Sequence, residues 1–299
     1  MEKYFDEILH LYGIKVPLTK KQIYKSTWLI GNSYILKKNG NPNEVEKALL
    51  INSFLCAEDI PVAEYLKTVS GESFVVKQES VYTLMYKTKG EHIDPLKRDY
   101  ISIANNIGVE VARLHRVLKK MESSTSIHKN DLIDEIQGWI LSEIRAKNIR
   151  VPREIIDTCL EFDNAYHSLP RQLIHRDIQF GNMLFEDDKL SCFLDFDISQ
   201  ENARVFDIVY LVQSMLVGKY NDSDFVEKWK CFTKSFLKSY HNENTLSELE
   251  VNAIYKIAVA IQLIFISFFA SIGQTDLVPK SVDMVKWVYS NEDVFTFSL

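Results

Sequence analysis

Between Leu173 and Asp197 the chain reads LIHRDIQFGNMLFEDDKLSCFLDFD, which sets His175, Asp177, Asn182, Asp195 and Asp197 around two short apolar runs joined by a polar turn. Carboxylates next to apolar strands are costly unless something pairs with them. HRDIQFGN has the form H-x-D-x-x-x-x-N, and Asp195 follows Asp177 by eighteen residues. Such a loop brings a carboxylate and an amide oxygen side by side. An amide oxygen suits a hard cation such as Mg2+, which takes few protein ligands and keeps its waters. Asp195, at the end of an apolar strand, supplies a carboxylate to the same ion. Asp177 is then left to orient a hydroxyl and accept its proton. In-line phosphoryl transfer needs these parts and little covalent chemistry, because positioning and charge neutralisation do most of the catalysis.

Two kinds of sequence surround this stretch. STWLIG and SYILKK are β-prone runs meeting at Gly31-Asn32, a hairpin signal. A helix is expected over about Asn43 to Ala57, followed by strand-like EYLKTV, SFVVKQ and VYTLMYK. From Gly90 on the pattern is helical, with Ile103, Ile107, Val111, Leu114 and Leu118 at helical spacing. Further helices are expected over 132–147, 153–167, 205–216, 223–240 and 246–271. In that half only NMLF and SCFLD read as strands. The expectation is an α+β chain with a small antiparallel-sheet lobe followed by a larger, mainly helical lobe.

Composition narrows the class. At 299 residues the chain has room for two lobes, and its net charge of -6 without any basic block argues against a nucleic-acid surface. Cys56, Cys159, Cys192 and Cys231 form no CxxC pair, which fits a reducing cytoplasm without disulfides or a zinc site. The acidic, amphipathic start MEKYFDEILH does not have the form of a secretory signal. The uncharged run from Ile257 to Thr275 approaches the length of a membrane span, but Gln262, Ser267, Ser271 and Gln274 interrupt it. It reads as a buried helix, so no membrane partner is expected.

HRDIQFGN departs from the protein-kinase signature H-R-D-L-x-x-x-N only between its fixed positions. It resembles more closely the aminoglycoside phosphotransferase and choline kinase-like superfamily of small-molecule kinases. GVEVARLHR is similar to the helix those proteins place before the catalytic loop, and RVFDIVYL to the segment after their metal-binding aspartates. TLMYKTKGEHI resembles their hinge, and SYILKK their lysine-bearing strand. The resemblance implies a two-lobed protein kinase-like fold. Residues 1–88 would form a nucleotide-binding lobe and 89–299 a catalytic and substrate-binding lobe.

By the same resemblance Asp177 is the catalytic base, Asn182 and Asp195 are metal ligands, and Asp197 adds a further metal contact. His175 pins the loop as a neutral ring, and Asp207 braces it. Lys37 is the phosphate lysine, preferred to Lys38, which points to the opposite face. Its helix partner is Glu46 or Glu44, with Glu46 preferred; residues two apart on a helix cannot both face it. Met85 in the hinge and Ser26 in the first loop contact the nucleotide, and His115 packs in the core.

No G-x-G-x-x-G precedes SYILKK, which leaves ATP versus GTP open. Only eleven residues separate Asp195 from Asp207, and no A-P-E follows, so there is no room for the activation segment of a protein kinase. The expected activity is ATP- and Mg-dependent phosphorylation of a small-molecule hydroxyl, on an aminoglycoside-type, amino-alcohol or sugar acceptor. A catalytically silent nucleotide-binding protein on the same fold is the alternative.

Overall fold

The computed structural model describes residues 4–121 and 130–297. Its first part holds α1 (Phe5–Leu11), β1 (Lys20–Tyr24), β2 (Thr27–Ile30), β3 (Tyr34–Asn39), α2 (Pro42–Ala57), β4 (Val75–Lys77) and β5 (Ser80–Tyr86). After it come α3 (Tyr100–Lys120), α4 (Leu132–Glu135), α5 (Leu141–Ala146), α6 (Arg153–Leu160), α7 (Asp163–His167), β6 (Arg171–Ile174), β7 (Met183–Glu186), β8 (Lys189–Phe193) and β9 (Gln200–Ala203). The chain closes with α8 (Val205–Ser214), α9 (Ser223–Glu243), α10 (Glu248–Ser271) and α11 (Leu277–Ser290).

By packing, the chain divides into two units. One holds Met1–Ile93 with Gly181–Ile198, the other Asp94–Phe180 with Ser199–Leu299. This differs from a single cut after residue 88, because the β7–β8 hairpin groups with the N-terminal sheet. Glu91 and Phe185 exchange two backbone hydrogen bonds of 2.9 Å, and the Phe193 N–H donates to the Pro61 carbonyl at 2.7 Å. Gly90 permits that approach. Its φ is +116°, and a Cβ there would stand 2.5 Å from Ser191 Oγ and 2.9 Å from the Phe185 carbonyl oxygen.

In the first unit β1 to β5 form one antiparallel sheet in the order β1-β2-β3-β5-β4, and β7 and β8 form a separate two-stranded one. The period of two divides β3 between its faces. Leu36 joins Trp28, Ile30, Tyr82 and Leu84 in a core closed by Phe5, Ile8 and Leu9 of α1. Ile35 and Lys37 turn to the other face, opposite Met85 and Thr83 in the register. EYLKTV is not a strand; it makes one bridge, Tyr65 to Met85, beside β5. The N-cap Asn41 accepts the Asn43 N–H and Pro42 stands in the first turn, so α2 starts where the NPNE signal put it.

In the second unit, the helical spacing of α3 is reproduced in burial: Ile103, Ile107, Val111, Leu114 and Leu118 are fully buried. α9 runs close enough that a Cβ on Gly108 would meet the Phe236 carbonyl oxygen at 2.6 Å. Two expected helices are broken. The first is interrupted by a π turn over Ile136–Ile140, where Gly138 leaves helical geometry; of all residues but proline, glycine holds a helix least well. The second divides into α6 and α7. β6 pairs with β9, a ladder the polar QENA did not announce, and α11 was also missed. Ser247 and Glu250 form a reciprocal cap at the start of α10. α10 is long and apolar enough to cross a bilayer by length and composition, yet 67% of its most apolar stretch is buried within the protein.

Candidate active site

The first unit holds a lysine shared by two aspartates. Alternation on β3 turns Lys37 away from the Leu36 core, and its ammonium donates to Asp195 Oδ1 at 2.9 Å and Asp197 Oδ2 at 2.8 Å. Asn39, two residues on and on the same face, donates to Asp197 Oδ2 at 3.3 Å. Burial opposes the charge on Lys37, but Asp197 and Asp195 outweigh it and hold the ammonium above its usual range. Burial pushes the Asp197 carboxyl up, Lys37 pulls it back, and the charge on Asp195 adds to the rise. Asp195 sits at φ +65°, a left-handed position that a short polar side chain tolerates.

Asn182 ends a single 3-10 turn, Phe180–Asn182, just before β7. Its carbonyl accepts the Leu194 N–H at 2.9 Å, and Met183 pairs with Phe193. Asn182 and Asp195 therefore stand at the same end of the β7–β8 hairpin. Their donors are oxygens, few in number, which is the set Mg2+ accepts when substrate phosphates supply the rest. Among the described residues no group of three His, Cys, Asp or Glu side chains forms a metal cluster.

The expected pairing of Lys37 with Glu46 is not made. Glu46 is exposed on α2, and the lysine's partners are the two aspartates. α2 instead brings Lys47 near Asp197, its ammonium drawn down by burial and opposed by Glu44 and Asp197. Ser26 lies in the β1–β2 turn, and its carbonyl accepts the Lys38 N–H at 2.8 Å. Met85 packs with Ala63 and Cys192, flanked by half-buried Ile35, Tyr65, Leu184 and Leu194. This apolar patch shares the Lys37 face of the sheet and suits a flat base. Apart from Met85 it was not foreseen, although Ile35 and Asn39 share the parity of Lys37.

The second unit holds the loop around Asp177. Asp207, fully buried in the first turn of α8, accepts the Arg176 N–H on Oδ1 and the His175 N–H on Oδ2, both at 2.8 Å. Because a carboxylate only accepts, His115 donates from Nε2 to Asp207 at 3.2 Å and accepts the Tyr240 hydroxyl on Nδ1 at 2.8 Å. His115 is fully buried, as expected of a core residue. The His175 ring is also fully buried and accepts the Asp177 N–H on Nδ1 at 3.3 Å. Arg176 holds φ +75° and is fixed by Glu135 at 2.7 Å and by the Phe206 ring at 4.0 Å. Asp177 Oδ1 accepts from Gln179 at 3.0 Å and from Tyr210 at 2.7 Å. Tyr210 was missed, although it follows Asp207 by three positions on one helix.

A five-stranded antiparallel sheet followed by a mainly helical region, with this loop and this lysine, defines a protein kinase-like phosphotransferase fold. Residues 22–230 match the model of the phosphotransferase enzyme family, APH, and the chain belongs to that family. It is a small-molecule kinase. It is 24% identical over 254 residues to a homoserine kinase of Methylobacillus glycogenes, covering 82% of this chain and 74% of that protein. A solved amicoumacin kinase, in complex with AMP-PNP and Ca2+, superposes with a TM-score of 0.69 at 15% identity, over 90% of this chain and 87% of that one. The GDP complex of aminoglycoside 2'-phosphotransferase-IIIa gives 0.66 at 12% identity, over 97% and 98%. Both of those structures hold nucleotides.

Proposed function

We propose that the protein transfers the γ-phosphoryl group of ATP, with magnesium, to a hydroxyl of a small molecule that also carries an amine. An amino alcohol of the homoserine kind is the first acceptor to test, since the sequence similarity to homoserine kinases extends over 82% of the chain. Aminoglycosides are the second, and GTP is tested beside ATP. The four free cysteines accord with a cytoplasmic setting.

One observation carries the reading: the Lys37 ammonium is shared by Asp195 and Asp197. One positive charge against two carboxylates leaves an excess of negative charge beside Asn182, the surroundings that a small dication neutralises. Asn182 and Asp195 would hold the magnesium with Asp197 beside them, and the ion would offset the phosphate charge during transfer. Lys37 binds phosphate oxygens, and Ile35, Ala63, Met85 and Leu184 seat the base. Asp177 orients the acceptor hydroxyl and takes its proton as the oxygen bonds to phosphorus and ADP departs.

The test is ADP release from Mg·ATP and GDP release from Mg·GTP across homoserine, choline, simple sugars, aminoglycosides and macrolides, with Asp177→Ala as control. An acceptor that raises turnover in the parent and not in the variant supports the reading. Nucleotide binding without turnover on any acceptor favours the catalytically silent alternative. Labelled phosphate appearing on protein would point to a protein kinase instead.

A further inference from the structure

Tyr210 stands in α8, three residues after Asp207, on the same side of the helix. Its hydroxyl donates to Asp177 Oδ1 at 2.7 Å, and Gln179 Nε2 donates to the same oxygen at 3.0 Å. Two aromatic rings stack on the Tyr210 ring. Phe206 stacks on it at 5.8 Å with 21° between planes, and Phe265 of α10 at 5.7 Å with 29°. Phe269 extends the column at 5.9 Å, and the Arg176 guanidinium caps Phe206 at the other end, 4.0 Å from its centroid. A phenol clamped in this way has little freedom to turn its hydroxyl elsewhere.

Stability does not call for this arrangement. A phenylalanine would complete the stack equally well, and the hydroxyl goes to a half-buried carboxylate in the catalytic loop. Burial and the charge on Asp177 push the Tyr210 hydroxyl well above its usual range, so it stays protonated and donates throughout the neutral range. α8 therefore fixes the loop twice: Asp207 holds the backbone of His175 and Arg176, and Tyr210 holds the carboxylate of Asp177.

We infer that Tyr210 is a positioning residue for phosphoryl transfer: it sets the rotation of the Asp177 carboxylate so that the acceptor hydroxyl meets it in the reactive direction. The inference rests on the proposed function, in which Asp177 accepts the proton. A general base acts only within hydrogen-bond reach and in the right orientation, and losing that orientation slows transfer without touching nucleotide affinity.

Tyr210→Phe keeps the aromatic column and removes one oxygen. With an acceptor identified by the test above, its kcat should fall by about ten- to a hundredfold, the worth of one hydrogen bond to a charged group. KM for the nucleotide and the thermal midpoint should stay at the parent values. Tyr210→Leu, which also breaks the stack, should lower the midpoint as well. A kcat in Tyr210→Phe equal to the parent's overturns the inference while the function stands, provided Asp177→Ala is inactive. A fall in kcat accompanied by an equal loss of thermal stability overturns it too, by assigning the hydroxyl a structural role. If no acceptor raises turnover in the parent, the proposed function falls, and this inference with it.

Discussion

The Lys37 ammonium lies 2.8 Å from Asp197 Oδ2, across 160 residues of chain. Each is held in place by local rules that know nothing of the other. Alternation on β3 aims the lysine, and the β7–β8 hairpin delivers the aspartate.

Replacing Lys37 with alanine should raise KM for the nucleotide by tenfold or more, about 1.4 kcal/mol of binding. Lys38→Ala, on the opposite face of the strand, should leave it near the parent value. Steady-state kinetics with varied nucleotide measures both. The reverse result would transfer the role to Lys38.

Asp195→Ala should remove the magnesium dependence of nucleotide binding. Calorimetric titration with and without magnesium reads this directly. An unchanged affinity for Mg·ATP would falsify the ligand assignment.

Asp207→Ala strips two buried backbone N–H groups of their acceptor and leaves His115 facing a gap. Each unsatisfied buried donor costs about 1–3 kcal/mol. Urea unfolding should show a loss of at least that size, accompanied by loss of turnover.

Arg204 and Glu250 make a nearly buried pair, with guanidinium bonds of 2.6 and 3.0 Å. Burial works against the Glu250 charge, but Arg204 and Ser247 outweigh it and hold the carboxyl below its usual range. Its contribution is therefore present above the unfolded value of about 4.3 and is lost as pH falls through the lower folded value. Glu250→Gln should cost on the order of 3 kcal/mol at neutral pH. Below about pH 4 the gap between parent and variant should narrow. Chemical denaturation at several pH values gives the comparison, and a gap independent of pH would remove the pair from the account of acid stability.

Gly108→Ala places a methyl group against the Phe236 carbonyl between α3 and α9. Overpacking of this kind costs about 1–3 kcal/mol. A thermal midpoint equal to or above the parent's would mean that the two helices can separate without penalty.

Local chemistry made much of this protein legible before any coordinates. The apolar periods of α3 and α10, the alternation of β3 and the cap at Asn41 each arise within a few residues. So does the motif from His175 to Asn182, which carries the resemblance to small-molecule kinases. The broken helices were not legible, because Gly138 is tolerated inside a helical pattern until packing chooses otherwise.

What lies beyond local reach was decided by the tertiary structure. The sequence offered Glu46 or Glu44 as the partner of Lys37; packing gave it Asp195 and Asp197 and left Glu46 in solvent. Asp177 carried no sign of Tyr210, since nothing in RVFDIVYL tells a stacked ring from a core aromatic. Spacing along a chain fixes which side chains share a face. Which face meets which partner depends on how distant segments pack, and there a carboxylate is satisfied by whichever donor the fold brings within 3 Å.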